Sequence, residues 1–502
     1  MKLDKYAKLA IFVIIIGTLL RFILAILANP AGDGCWFLSV ARFIAVNGKM
    51  PLFEHLGRDI FARPPLLPIL GAFFYKIFGV FGSNAAEVGM RLVSPLFGSL
   101  ILLFSFLTIK KMFNSKIAFY SVLFLSFIPI HFIFSSLSQV DIIVSFFVLL
   151  SIYFLLNDKI FLSGISVGLA TLSKETGILI LILFFYLLFR KYKNNLKVMF
   201  KKTAILVTPA FLVVLPWFIR NYIYLKNPIW PYLSTVIGGV QGGEMQLLAV
   251  SSNWLYLFYL KEHFITAYLE SFGVPGGELY ALSFFEVPFL KFLVAAWLLA
   301  TIIFFIPFVL GLFKIDYKDK RTKLMIIWFL SYFLVVLYHV ITTGKAYSRF
   351  LLPAFPVFAV VWAVGFDRIS SFKAVKKPYS LLIVVCIIGF IAAGFVKTAL
   401  TNNEWNLYQE DFKWVRENTE KNARFVTDGQ CLAYQLNREV YPWNDKKLVF
   451  DSNSYVWVNQ NLRLEHTSIL EEDKVKEIEG NNSLSLVYFN DKTGTRVYHY
   501  SG

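Results

Sequence analysis

Long apolar runs separated by short polar turns set the reading of this chain. A transmembrane helix needs ~20 mostly apolar residues, and residues 9–28 supply the first. Further spans are predicted at roughly 89–109, 117–135, 140–156, 160–173, 176–189, 203–219, 288–313, 324–341, 350–366 and 379–400, about eleven in all. The runs at 160–173 and 176–189 are read as a hairpin turning at Lys174-Glu175, because one continuous span would move the basic cluster Arg190–Lys202 to the other face. Between the first two spans, residues 33–46 and 65–78 have helix-like apolar spacing but are too short or too polar to cross. Both are expected to lie in the membrane interface. A second long connection, from Ile219 to Pro288, carries the glycine-rich stretches IGGVQGGEM and GVPGGEL and reads as a lid or a plain connector.

After Leu400 the pattern turns mixed and polar. Helices are expected at 411–418, 431–436 and 471–478, and strands at 424–427, 484–489 and 496–500. The fold class is therefore an all-α polytopic membrane protein followed by a small C-terminal α/β domain, with 1–400 as the membrane domain and 401–502 as the appended one.

Composition agrees, since 57% hydrophobic against 16% charged residues excludes an ordinary soluble protein. The net charge of +17 would suggest nucleic acid in a soluble chain. Here the basic residues sit in short loops between apolar runs, so no nucleic-acid partner is expected. Segments assigned to the inside hold 22 lysines and arginines and the short outer turns hold three. By the positive-inside rule this places the N-terminus in the cytoplasm and the C-terminal domain outside. The first apolar run is too long for a cleavable signal peptide, and no small-residue cleavage site follows it. The three cysteines, Cys35, Cys386 and Cys431, have no metal spacing and no disulfide framework. Cys35 and Cys431 share a compartment, but nothing in the sequence favours their pairing.

Charge in a bilayer is expensive, so its placement is informative. Apart from Arg21, the membrane-associated charges fall at span ends. Asp33, Arg63, Glu87, Arg91, Asp141, Lys174, Glu175, Arg220, Lys345 and Arg349 share the outer level, which argues for one polar cavity there. A carboxylate can take a proton from an acceptor hydroxyl, and several cations can hold a phosphate leaving group. Such a mixture suits sugar transfer from a lipid phosphate. Plainer readings stand beside it. Asp33 and Asp141 can cap helices, Arg63 and Lys345 can anchor at headgroups, and Glu87 with Arg91 reads as a structural i,i+4 pair. Arg21 is expected to snorkel or to meet a carboxylate, and His131 and His339 to be packed or hydrogen-bonded. No Ser-His-Asp order, P-loop or dinucleotide fingerprint is present. The alternative function is a flippase or transporter of a lipid-linked substrate, although transporter ligands lie nearer the midplane.

The order of these features resembles the GT-C superfamily, in the branch holding protein O-mannosyltransferases and lipid A aminoarabinose transferases. Asp33 opens the first outer loop and Arg63-Pro64 in ARPPLLPILG closes it. Phe81-Gly82 and Arg91-Leu92 start the second span, Asp141 lies in SSLSQVDIIVSFF, and Lys174 lies in GLATLSKETG. PWFIRN at Pro216–Asn221 and GKAYSRFLLPAFP, with Lys345, Tyr347 and Arg349, complete the match over about residues 8–400. The resemblance implies an inverting glycosyltransferase of the cell membrane. It would take a mannose-like hexose or related sugar from a polyprenyl or dolichyl monophosphate to an extracytoplasmic protein, glycan or lipid. Asp33 would be the base, Arg63, Lys174, Lys345 and Arg349 would surround the lipid phosphate, Tyr347 would help bind it, and Asp141 would orient cations or acceptor. A divalent metal is left open. The sequence departs from relatives at Asp33-Gly34, where many have two acidic residues, and at Ala62, where the aminoarabinose branch has Glu. Both departures speak against a metal and against that acceptor.

Overall fold

The computed structural model describes residues 3–30, 32–51, 63–229, 271–272, 288–343, 347–427, 430–441, 450–459 and 472–502. Most of the long connection between Ile219 and Pro288, and Lys345, lie outside the described residues. Among those described, seven helices are long and apolar enough to cross a membrane. Four further apolar helices are shorter, at Leu66–Gly79, Ser115–Phe127, Val140–Leu156 and Ile160–Ser173. The chain is a multi-pass membrane protein with a small sheet domain at its C-terminal end.

The first helix, α1 (Lys5–Leu27), is capped by Asp4, whose side chain accepts from the Ala7 amide at 2.9 Å. Helices α2 (Asp33–Asn47) and α3 (Leu66–Gly79) follow, then α4 (Ser83–Arg91) and α5 (Val93–Met112), joined at Leu92. The run expected as one span at 117–135 divides into α6 (Ser115–Phe127) and α7 (Pro129–Phe134). The break falls at Ile128, whose extended backbone is what a following proline imposes. Helices α8 (Val140–Leu156) and α9 (Ile160–Ser173) match the predicted runs residue for residue. A 3₁₀ turn at Glu175–Leu179 then leads into α10 (Ile180–Tyr192). The remaining membrane helices are α11 (Leu196–Leu225), α12 (Pro288–Lys314), α13 (Lys320–Thr343), α14 (Phe355–Ser371) and α15 (Lys373–Leu407).

Packing rather than hydrophobic exclusion holds helices together in lipid. The interior accordingly carries interlocked aromatics: the Trp362 and Phe366 rings lie 4.9 Å apart, and Phe304 contacts both Trp362 and Phe390. Arg21 is fully buried in mid-span, and neither expectation for it holds. It does not snorkel and meets no carboxylate; it donates to the carbonyls of Gly17 and Leu125 and approaches His131 Nδ1 at 2.9 Å. Two backbone oxygens and an imidazole nitrogen thus supply acceptors inside the bundle.

The C-terminal part adds α16 (Gln409–Asn418), α17 (Gln430–Leu436) and α18 (Glu472–Glu479) around a five-stranded sheet. The strands are β1 (Arg424–Val426), β2 (Glu439–Tyr441), β3 (Ser454–Val458), β4 (Leu484–Asn490) and β5 (Thr495–Tyr500), in spatial order β2-β1-β3-β5-β4. β1 is parallel to both neighbours, while β5 is antiparallel to β3 and β4. β2 and β3 were not expected. β3 is buried at every position, so its run lacks the in–out alternation that marks a half-exposed strand.

Two local expectations are overturned, and α2 is enclosed by protein: its residues from Gly34 to Ala41 are buried and α17 packs on it. Cys35 and Cys431, 396 positions apart, form a disulfide with a Cα separation of 4.9 Å, which the docking of α17 on α2 makes possible. Glu87 does not pair with Arg91. It takes a two-pronged contact from Arg42 on α2, at 2.7 and 2.8 Å, while Arg91 donates to the Ala28 carbonyl. A partner on another helix displaces the i,i+4 neighbour because it offers both guanidinium nitrogens at once.

Candidate active site

Asp33 is the first residue of α2. The turn before it depends on Gly32, whose φ of 53° with ψ of −136° suits a residue without a Cβ. At the same end of the bundle, Asp141 lies in the first turn of α8 and Lys174 lies just past the last turn of α9. Lys174 has extended backbone, and the chain folds back so tightly behind it that a Cβ on Gly177 would stand 2.5 Å from the Ala170 carbonyl oxygen. The fourth contribution is the 3₁₀ segment Ser348–Ala354, which follows Tyr347 and packs on α8. Trp328 of α13 fixes that segment by donating to the Pro353 carbonyl at 3.0 Å.

These elements bring charged side chains from four parts of the sequence together. Arg349 donates to Asp33 Oδ2 at 3.2 Å, and both side chains are about a quarter exposed (26% and 29%). Lys174 donates to Asp141 Oδ1 at 2.7 Å, and its ammonium also stands 4.3 Å from the Phe350 ring centre. Arg63 lies with its guanidinium 4.8 Å over Trp36, three residues along α2 from Asp33. Its Nε is buried without a hydrogen-bond partner among the described residues. Tyr347 lies under Arg349 at 5.2 Å and against His339. Burial alone would raise the Asp33 carboxyl; the charges of Arg349, Arg63 and Lys174 outweigh it and hold the group below the usual carboxylate range. Burial pushes Glu175, next to Lys174, the other way.

Of the residues singled out in the sequence, Asp33, Arg63, Asp141, Lys174, Tyr347 and Arg349 are thus described at one end of the bundle, while Lys345 lies outside the described residues. Neither aspartate is a helix cap: Gly32 and Gln139 occupy those positions. Among the described residues, no three His, Cys, Asp or Glu side chains converge as a metal would require. Asp33 and Asp141 each face a cation instead.

Comparison with known proteins bears on the fold. A model of the family described as dolichyl-phosphate-mannose-protein mannosyltransferase matches residues 62–219. The chain superposes on ArnT from Cupriavidus metallidurans bound to undecaprenyl phosphate with a TM-score of 0.66, at 12% identity over 97% of both chains. This chain has the GT-C fold. Two further GT-C structures align less completely. The archaeal oligosaccharyltransferase AglB of Archaeoglobus fulgidus, in complex with an inhibitory peptide and a dolichol-phosphate, gives a TM-score of 0.53 at 14% identity over 86% of this chain and 64% of that one. The mycobacterial arabinofuranosyltransferase AftD gives 0.56 at 10% identity, over 97% of this chain and 40% of that one. No curated protein matches the chain by sequence.

Within the GT-C frame, several residues at the site went unread in the sequence. Trp36 and Phe350 are the platforms under Arg63 and Lys174, yet each looks like any other aromatic in an apolar run. Arg42 appeared only as an interruption of an apolar pattern. It holds α2 to α4 through Glu87 and to α17 through the Tyr434 carbonyl and Asn437 Oδ1. Tyr434 closes the triangle by donating to Glu87 Oε2 at 2.8 Å.

Proposed function

We propose that the chain is an integral-membrane, inverting glycosyltransferase that moves a sugar from a polyprenyl or dolichyl monophosphate to an extracytoplasmic acceptor. The observation that carries this reading is Asp33 paired with Arg349 at 3.2 Å, with Arg63 and Lys174 at the same end of the bundle. Asp33 takes the proton from the acceptor hydroxyl, whose oxygen attacks the anomeric carbon from the face opposite the phosphate. The bond from that carbon to the phosphate oxygen breaks, and the polyprenyl phosphate leaves with the bonding pair. A general base of this kind is worth ~10²–10⁴-fold. The developing charge is met by Arg63, Lys174 and Arg349, where a pair at 4 Å is worth ~4 kcal/mol at an effective dielectric of ~20 against ~1 in water.

Arg349 serves twice in this scheme. A donor phosphate competes with Asp33 for it, so donor binding loosens the Asp33–Arg349 pair and leaves the carboxylate more basic as the acceptor arrives. Asp141 keeps Lys174 placed over Phe350, and Tyr347 supports Arg349 from below. Lys345 is proposed to join the phosphate from the same connection. The sugar is proposed to be a mannose-like hexose, and the acceptor a protein, glycan or lipid on the outer face, where the C-terminal domain also lies. The test is transfer by the purified full chain in liposomes, with labelled polyprenyl-phosphate sugars. Transfer by the wild type that is lost in Asp33→Asn supports the reading. Full transfer by Asp33→Asn removes Asp33 as the base, and the absence of transfer from every such donor removes the class.

A further inference from the structure

The far end of the bundle holds a second charged cluster that the proposed chemistry does not use. α8 carries Asp141 in its first turn and runs to Leu156, with Asp158 two residues beyond, so this end lies about 25 Å from the candidate active site. There the ends of α5, α8 and α10 and the start of α13 leave a cavity of about 570 Å³ between them. Five cations line it: Lys111, Arg190, Lys191, Lys320 and Arg321. Asp158 is the one carboxylate in the lining, and it is engaged by Lys191 at 2.9 Å. Asp319 borders the site and is taken by Arg321 at 2.8 Å, which also donates to the Met112 carbonyl. Lys111 donates to the neutral Asn157 side chain at 2.6 Å. After these pairings the cavity keeps a clear excess of positive charge. Its inner wall is apolar, with Leu155, Leu187 and Leu324 facing the same space.

We infer that this cavity binds the headgroup of an anionic phospholipid, with the phosphate among Lys111, Arg190 and Lys320 and the upper acyl chain against the leucines. Three observations point to that occupant. The cations belong to three different helix ends, those of α5, α10 and α13, but converge on one space, whereas simple anchoring would spread them around the rim. Lysine and arginine at helix ends bind lipid phosphates because the apolar surroundings strengthen each contact. The leucine wall suits an acyl chain, which a soluble phosphate does not possess. A lipid held here would tie α5, α8, α10 and α13 together at the end where the cavity otherwise separates them.

The experiment uses the delipidated full chain offered an equimolar mixture of phosphatidylglycerol and phosphatidylcholine, with retained lipid read by native mass spectrometry. One phosphatidylglycerol is expected to stay bound in preference, by about tenfold or more. Lys111→Gln with Arg190→Gln and Lys320→Gln should abolish that preference. Lys197→Gln with Lys373→Gln and Lys376→Gln removes equal charge from the same end outside the cavity and should leave the preference intact. Leu155→Trp fills the space while keeping every cation, and it too should lose the lipid; size-exclusion and melting profiles identify any misfolded variant. Equal loss in both triple variants, retained preference in Leu155→Trp, or displacement of the lipid by inorganic phosphate each overturns the inference. So does a wild type that does not discriminate between the two lipids.

Discussion

Arg349 lies 3.2 Å from Asp33, so a phosphate and a carboxylate compete for one guanidinium. The native pKa of Asp33 is held below the usual carboxylate range by Arg349, Arg63 and Lys174 against the opposing effect of burial, so its charge outlasts that of an ordinary carboxylate as the pH falls. The acid limb of kcat/KM should therefore fall below that range, and any stability from this pairing is present above it and lost as the pH drops through the lowered value. Arg349→Gln removes the nearest cation and should move the acid limb to higher pH as well as raise KM for the donor. A pH–rate profile with an unmoved limb would detach Arg349 from Asp33. Asp411 belongs to the same scale but to the other domain. It is fully buried and accepts four hydrogen bonds, from Tyr488, Asn490, Thr493 and Thr495. Asp411→Ala strands all four donors and should cost the sheet domain more than about 3 kcal/mol, seen as rapid proteolysis after Leu407. The sequence showed Asp411 only as a polar residue in a short helix, because its partners lie 77 to 84 positions away.

The helices themselves were largely legible. Apolar runs gave α8 and α9 to the residue and the centres of the other long helices, because hydropathy is a local property of the chain. Contacts between elements were not legible, since they depend on docking. α2 reads as an interfacial helix on composition, yet it is clamped by the Cys35–Cys431 disulfide and by Arg42 bridging Glu87 and Tyr434. Both fastenings lie within nine residues of Asp33, and they hold the helix that presents it. Cys35→Ser, or reduction of the wild type, should lower stability by about 2–4 kcal/mol, read as a fall in melting temperature under reducing conditions. Adding Arg42→Gln should lower kcat further while changing donor KM little, because the phosphate cations stand on other elements. A melting temperature indifferent to reductant would contradict the clamp.

For the whole molecule, the two charged ends of α8 give the fold a direction. Asp141, Lys174, Asp33 and Arg349 occupy one end, and Lys111, Asp158, Lys191 and Arg321 the other. A disulfide at the first end suits an oxidising compartment. In sealed vesicles, single cysteines introduced as Glu175→Cys and Asp158→Cys should react with an impermeant maleimide from opposite sides, and labelling from one side would reverse the topology. The central claim is that the cations around Asp33 hold a lipid phosphate. Its most direct test is an electron cryo-microscopy map of the full chain with bound polyprenyl phosphate. The account predicts phosphate density touching Arg63 and Arg349, with Lys174 close by and the chain running into the bilayer. Phosphate density confined to the opposite end, with Asp33 and Arg349 still paired, would contradict it.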